Sequence, residues 1–143
     1  MKRPLLLASM GLSALIPASA YGQAEEPTLA GRAAIERIAG NTIVLTPESE
    51  APFALEVVMY FASDGRAVSR MSANGVANEA ESLVGKWSID DQERLCVVED
   101  GKDLKSDRDC IGIVVTGNTV RSVPEDIFRG LHATIAEGNP SKL

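Results

Sequence analysis

Residues 94–123 read RLCVVEDGKDLKSDRDCIGIVVTGNTVRSV, and this stretch holds both cysteines of the chain, Cys96 and Cys110. Around them, Arg94–Val98 and Cys110–Thr116 are apolar runs rich in Val and Ile, whose branched side chains suit pleated strands. The intervening segment, Glu99 to Asp109, is strongly charged and reads as a solvated loop. If the flanking strands pair directly, one antiparallel register sets Cys96 opposite Cys110. Non-hydrogen-bonded partners in such a ladder lie about 4.5 Å apart at Cα, a distance a disulfide spans. The same register aligns Leu95 with Ile111, on the face that carries Val97, Ile113 and Val115. Bridge and hydrophobic pattern therefore agree. A redox pair would place its cysteines two residues apart, and a metal site would want more Cys or His nearby, so a structural bridge is the better reading. Gly117-Asn118 then supplies a two-residue turn into Thr119–Val123.

Working upstream, Leu83–Ile89 is expected to pair with Arg94–Val98 around the turn Asp90-Asp91-Gln92-Glu93. Residues 72–82 are small, polar and Gly-containing, and read as a loop. Leu55–Ala62 is an apolar strand followed by Ser63-Asp64-Gly65-Arg66. Asp-Gly between apolar runs is a strong hairpin signal, because both central residues of a type I′ turn need positive φ. That turn predicts Ala62 opposite Ala67, Phe61 opposite Val68, Tyr60 opposite Ser69 and Met59 opposite Arg70. Thr42–Thr46 is a further strand, closed by Pro47, with a Glu/Ser/Pro loop over 47–52. Before it, Leu29–Ile38 reads as a short helix with Leu29, Ala33, Ile35 and Ile38 inward, ended by Gly40-Asn41.

Downstream, Pro124-Glu125-Asp126 resembles a helix start, while Leu131, Ala133 and Ile135 alternate with His132, Thr134 and Ala136. A short turn or helix over 124–130 and an edge strand over 131–136 are expected. The fold class that results is mainly β. Seven or eight strands form an antiparallel meander, a small barrel or a covered sheet, with one short N-terminal helix.

The chain begins with Lys2 and Arg3, then an apolar run from Leu5 to Ile16, then Pro17 and Ala18-Ser19-Ala20. This is the pattern of a cleavable signal peptide, cut after Ala20 or alternatively after Ala24. Residues 1–20 are thus expected to be a signal peptide, 21–28 a flexible leader and 29–143 a single β-rich domain, located in the periplasm or secreted. No later apolar run reaches the ~20 residues that a spanning helix needs. The net charge of −6 falls to −8 once Lys2 and Arg3 leave with the signal. That balance disfavours nucleic acid, whose phosphates need clustered Lys and Arg.

An ordered set of short motifs runs through the domain: Gly40-Asn41-Thr42, Tyr60-Phe61-Ala62-x-Asp64-Gly65, Gly85-Lys86-Trp87-Ser88, Leu95-Cys96, Cys110, Gly117, and Gly138-Asn139-Pro140-x-x-Leu143. The set resembles a family of small exported proteobacterial proteins of unknown function. The resemblance implies a two-Cys, β-rich periplasmic domain and carries no functional residues with it. Gly85-x-Trp87 also resembles the lipocalin signature, which in that family opens the first barrel strand and here lies mid-chain.

Candidate chemistry is sparse. His132 is the single histidine, and no orienting partner or nucleophile is assignable to it. Asp100, Asp103, Asp107 and Asp109 form an acidic cluster, but Lys102, Lys105 and Arg108 interleave, and the spacing is not that of a calcium loop. Asp90, Asp91 and Glu93 sit too close in a turn to face one another across a glycosidase cleft. Trp87, Tyr60 and Phe61 are candidates for lining an apolar pocket; Tyr60 and Phe61 alternate, so at most one of these two points inward. No cofactor or metal ligand set is evident. The expected function is a non-catalytic binding or interaction module for an envelope protein or a small apolar ligand. The alternatives are an inhibitor of an exported hydrolase, with residues 21–30 as its plug, and a small envelope enzyme.

Overall fold

The computed structural model describes residues 25–49, 54–103 and 108–143. The expected signal peptide, both cut positions and the first part of the leader lie outside the described residues. The chain runs through β1 (Thr28–Ala30), α1 (Gly31–Ile38), β2 (Thr42–Pro47), β3 (Leu55–Phe61), β4 (Arg66–Ala73), β5 (Val76–Ile89), β6 (Leu95–Glu99), β7 (Asp109–Thr116), β8 (Thr119–Val123), a 3-10 turn at Glu125–Phe128, and β9 (Leu131–Ala136).

Each of β2 to β9 pairs antiparallel with its neighbour in sequence. The last returns to the first: β9 lies along β2, with Ile43 opposite Ile135 and Leu45 opposite Ala133. The meander therefore closes into an eight-stranded barrel. β9 is no edge strand, because β2 covers one side and Thr134 meets Thr119 of β8 on the other. A barrel buries the apolar column of every strand at once, which the open alternative leaves partly exposed.

The Cys96–Cys110 disulfide is present, between directly opposed residues 4.0 Å apart at Cα, in the register that also pairs Leu95 with Ile111. Two hairpins differ from expectation. Phe61 faces Ala67, Tyr60 faces Val68, Met59 faces Ser69 and Val58 faces Arg70, a shift of one residue. The Gly65 N–H donates to the Ala62 carbonyl (3.0 Å) and the Ala62 N–H to the Arg66 carbonyl (2.8 Å). Of the turn residues only Gly65 takes a positive φ, of 92°. The connection is thus a three-residue loop with a left-handed glycine, not a two-residue type I′ turn. The type I′ turn sits at Asn74-Gly75 instead, with φ of 52° and 77° and Ala73 opposite Val76. Residues 72–82, expected as a loop, are the ends of β4 and β5 around that turn. Asn74 also binds the start of β3, its Oδ1 accepting from the Ala54 N–H at 2.9 Å.

At the N-terminus Thr28–Ala30 forms a strand where leader and helix start were expected. β7 has β6 on one edge at 109–111 and β1 further along at 114–116, while β8 occupies the opposite edge. Pairing Leu29 with Val115 aims the chain so that α1 lies over the adjacent barrel end. Its buried face is Ala34, Ile35 and Ile38, one position away from the expected Ala33, since i, i+1 and i+4 share a face in a 3.6-residue period. These side chains join Ile43, Phe61, Leu95, Ile113, Val115 and Ile135 in one core. α1 closes this end of the barrel.

The C-terminal tail is tied to the same end. The Asn41 side chain donates to the Arg37 carbonyl (3.0 Å) and accepts from the Gly138 N–H (2.8 Å), and Thr42 Oγ1 donates to the Gly138 carbonyl (2.8 Å). Asn139 brackets Leu143 through both its amide atoms. Gly40-Asn41-Thr42 and Gly138-Asn139, picked out above as motifs, are joined here by hydrogen bonds.

Candidate functional site

Alternation along each strand of a barrel sends every second side chain inward. Here the inward set includes Ile43, Met59, Phe61, Leu95, Val97, Ile111 and Ile113, matched by the pairs Ile43–Met59 and Leu95–Ile111. Between these side chains lies an apolar cavity of about 200 Å³. It opens at the end away from α1. There Ile127 and Phe128 of the 3-10 turn form one side of the mouth and Asp109 another. Asp109 stands opposite Val97, an inward register position at the start of β7. Its carboxylate is the only charge lining the cavity among the described residues, and it has no ion pair or hydrogen bond there.

A larger groove of about 470 Å³ runs between β8 and β9, where the two strands meet only at Thr119 and Thr134. Its walls carry Glu48, Arg121, Glu125, Asp126 and Arg129, all exposed. Arg121 and Glu125 pair at 3.7 Å. Phe128 borders both spaces. An apolar molecule gains little against such charged, hydrated walls, so the smaller cavity is the better site for one.

Of the residues singled out for a pocket, Phe61 lines this cavity and Tyr60 and Trp87 do not. Phe61 takes the inward position and Tyr60 the outer face, half-buried beside Thr42 and Val68. Trp87 is held against the core instead, its Nε1–H donating to the Ala62 carbonyl at 2.8 Å and its ring set edge-on to Phe61 at 6.4 Å. Asp109 had a legible signal: the Cys96–Cys110 register places it opposite Val97, on the apolar face, and its charge masked that position. Phe128 had none, because its distance from the strands depends on how the 3-10 turn folds over the barrel mouth.

The other candidates are accounted for separately. His132 is exposed on the outer face of β9, opposite Thr46. Asp90 is a turn residue: Oδ1 accepts from the N–H groups of Gln92 and Arg94 at 3.0 and 2.9 Å, and Oδ2 pairs with the Arg94 guanidinium at 2.7 Å. The Arg94 side chain above all, then its backbone N–H, holds this carboxyl below the usual carboxylate range. Of the acidic cluster, Asp107 lies outside the described residues and Asp109 has turned to the cavity, while in the same loop Lys102 pairs with Glu99 at 2.9 Å. Asp90, Cys96 and Cys110 come together with metal-like spacing, but the two sulfurs are bonded to each other and Asp90 to Arg94. No helix among the described residues is long and apolar enough to cross a membrane. Comparison with known proteins returned no matching family model, no matching curated protein and no matching solved structure.

Proposed function

We propose that this chain is an exported binding protein, periplasmic or secreted, whose barrel interior holds one small apolar molecule. The observation that carries the reading is the cavity of about 200 Å³, lined by aliphatic and aromatic side chains and open at one end. A buried apolar cavity of about 150 Å³ is already enough to take up benzene. Transfer of an apolar ligand from water into such a space gains roughly 25 cal/mol per Å² of apolar surface covered. Export is supported by the charged, apolar and small-residue succession over 1–20 and by a disulfide, which persists in oxidising compartments. Membership of the small exported proteobacterial family is part of the same proposal, resting on the ordered motifs.

The inhibitor alternative has less support, because Thr28–Ala30 of its plug segment are already paired with β7. Titration of the isotope-labelled protein with toluene tests the binding reading. Shifts should saturate at Ile43, Met59 and Ile113. Ile111→Trp, which fills the half-buried mouth of the cavity, should abolish them while leaving the fold intact. A spectrum unmoved by toluene would refute the reading.

A further inference from the structure

Asp109 is exposed at the start of β7, where the register of Ile111 and Ile113 reaches the cavity mouth. It sets a carboxylate at the rim of an otherwise apolar space. That carboxylate lines the cavity mouth and has no cationic or hydrogen-bonding partner among the described residues. The nearest elements that line the mouth contribute Ile127 and Phe128 and no positive charge. Arg121 and Arg129 line the groove bordered by Phe128 and do not line the cavity, and Arg121 is paired with Glu125.

Resting on the cavity reading above, the geometry points to a ligand with two parts: a compact apolar body inside the barrel and a cationic head, such as a primary ammonium, at Asp109. The apolar body displaces water from the inner walls. The head stays at the mouth, where it remains partly hydrated and meets the one carboxylate available. A ligand with an anionic head of the same size would set two like charges side by side, and the chain's overall charge of −6 opposes it further. Asp109 thus selects the sign of the ligand and the interior selects its shape.

Three probes with one ring and different heads separate these contributions: benzylammonium, benzyl alcohol and benzoate, measured by calorimetry at neutral pH and low salt. Benzylammonium should bind roughly three- to fivefold more tightly than benzyl alcohol, as befits a partly exposed ion pair, and benzoate should bind most weakly. Asp109→Asn should remove the preference for benzylammonium over benzyl alcohol measured on the same variant, and an unchanged thermal melt shows that the variant is folded. Raising the salt on the unaltered protein should shrink the same preference. If benzyl alcohol binds and benzylammonium binds no more tightly, the cationic ligand is refuted and the apolar cavity stands. If none of the three binds, both fall.

Discussion

Removal of the Cys96–Cys110 bridge is the perturbation whose size follows most directly from the structure. The two residues are separated by 14 positions, and freeing a closed loop of that length returns about 3 kcal/mol of chain entropy to the unfolded state. The ladder between β6 and β7 consists of Leu95 with Ile111, Cys96 with Cys110 and Val97 with Asp109. Among the described residues nothing longer holds these two strands together. The loss is therefore expected both globally and locally. Urea unfolding of the Cys96→Ala/Cys110→Ala variant should show a stability about 3 kcal/mol below that of the oxidised protein. For a domain of this size the midpoint of thermal unfolding should drop by about 12 °C, at about 4 °C per kcal/mol. Alanine is the right replacement, because Cys96 is 1% exposed and a serine hydroxyl there would add a desolvation cost of its own. Hydrogen exchange then separates the two effects. Amides of Leu95–Val97 and Asp109–Ile111 should lose more protection than those of β2 and β3, and toluene binding should weaken with them. A variant within about 1 kcal/mol of the oxidised protein, or a loss of protection spread evenly over the barrel, would show that the bridge does not tie β6 to β7 in this way.

Three further outcomes are expected. Gly85→Ala should destabilise by about 2 kcal/mol or more in a thermal melt, since a Cβ there runs into the Val98 carbonyl, which belongs to a paired strand and cannot move aside. Asn41→Ala breaks the hydrogen bonds to Arg37 and Gly138, should cost about 2 kcal/mol in urea unfolding, and should make the tail after Gly138 susceptible to carboxypeptidase. Asp90 titrates below the usual carboxylate range when folded, so its ionised form favours the native state. That contribution is present at neutral pH and is lost as the pH falls through the depressed value. A urea-midpoint profile against pH should therefore steepen on the acid side, and Asp90→Asn should flatten that limb.

Strand type was legible wherever the apolar positions alternate, and the Cys96–Cys110 register followed from that alternation together with the chemistry of the bridge. Less legible were the turns. Asp64-Gly65 and Asn74-Gly75 offer the same local signal, yet the first became a three-residue loop and the second a type I′ turn. The difference lies in what each turn must join. Around Asp64, the Ala62 carbonyl accepts from both Gly65 and the Trp87 indole, and the Gly65 carbonyl accepts from the Trp87 N–H. The two bonds from Trp87 come from β5, more than twenty residues onward, and no window around the turn contains them.

The β-rich class, the disulfide and the apolar face shared by β6 and β7 could be read from the residues alone, because these depend on side-chain period and on the spacing of two thiols. Closure of the barrel, the seating of α1 over one end and the opening beneath Phe128 at the other were decided only in three dimensions. β9 can satisfy its backbone on β2 as well as β8 only after the intervening strands have curved far enough to bring β2 back. The cavity exists because inward side chains from different strands stop short of meeting. That is a property of their summed volumes within a closed wall, and no single strand carries it.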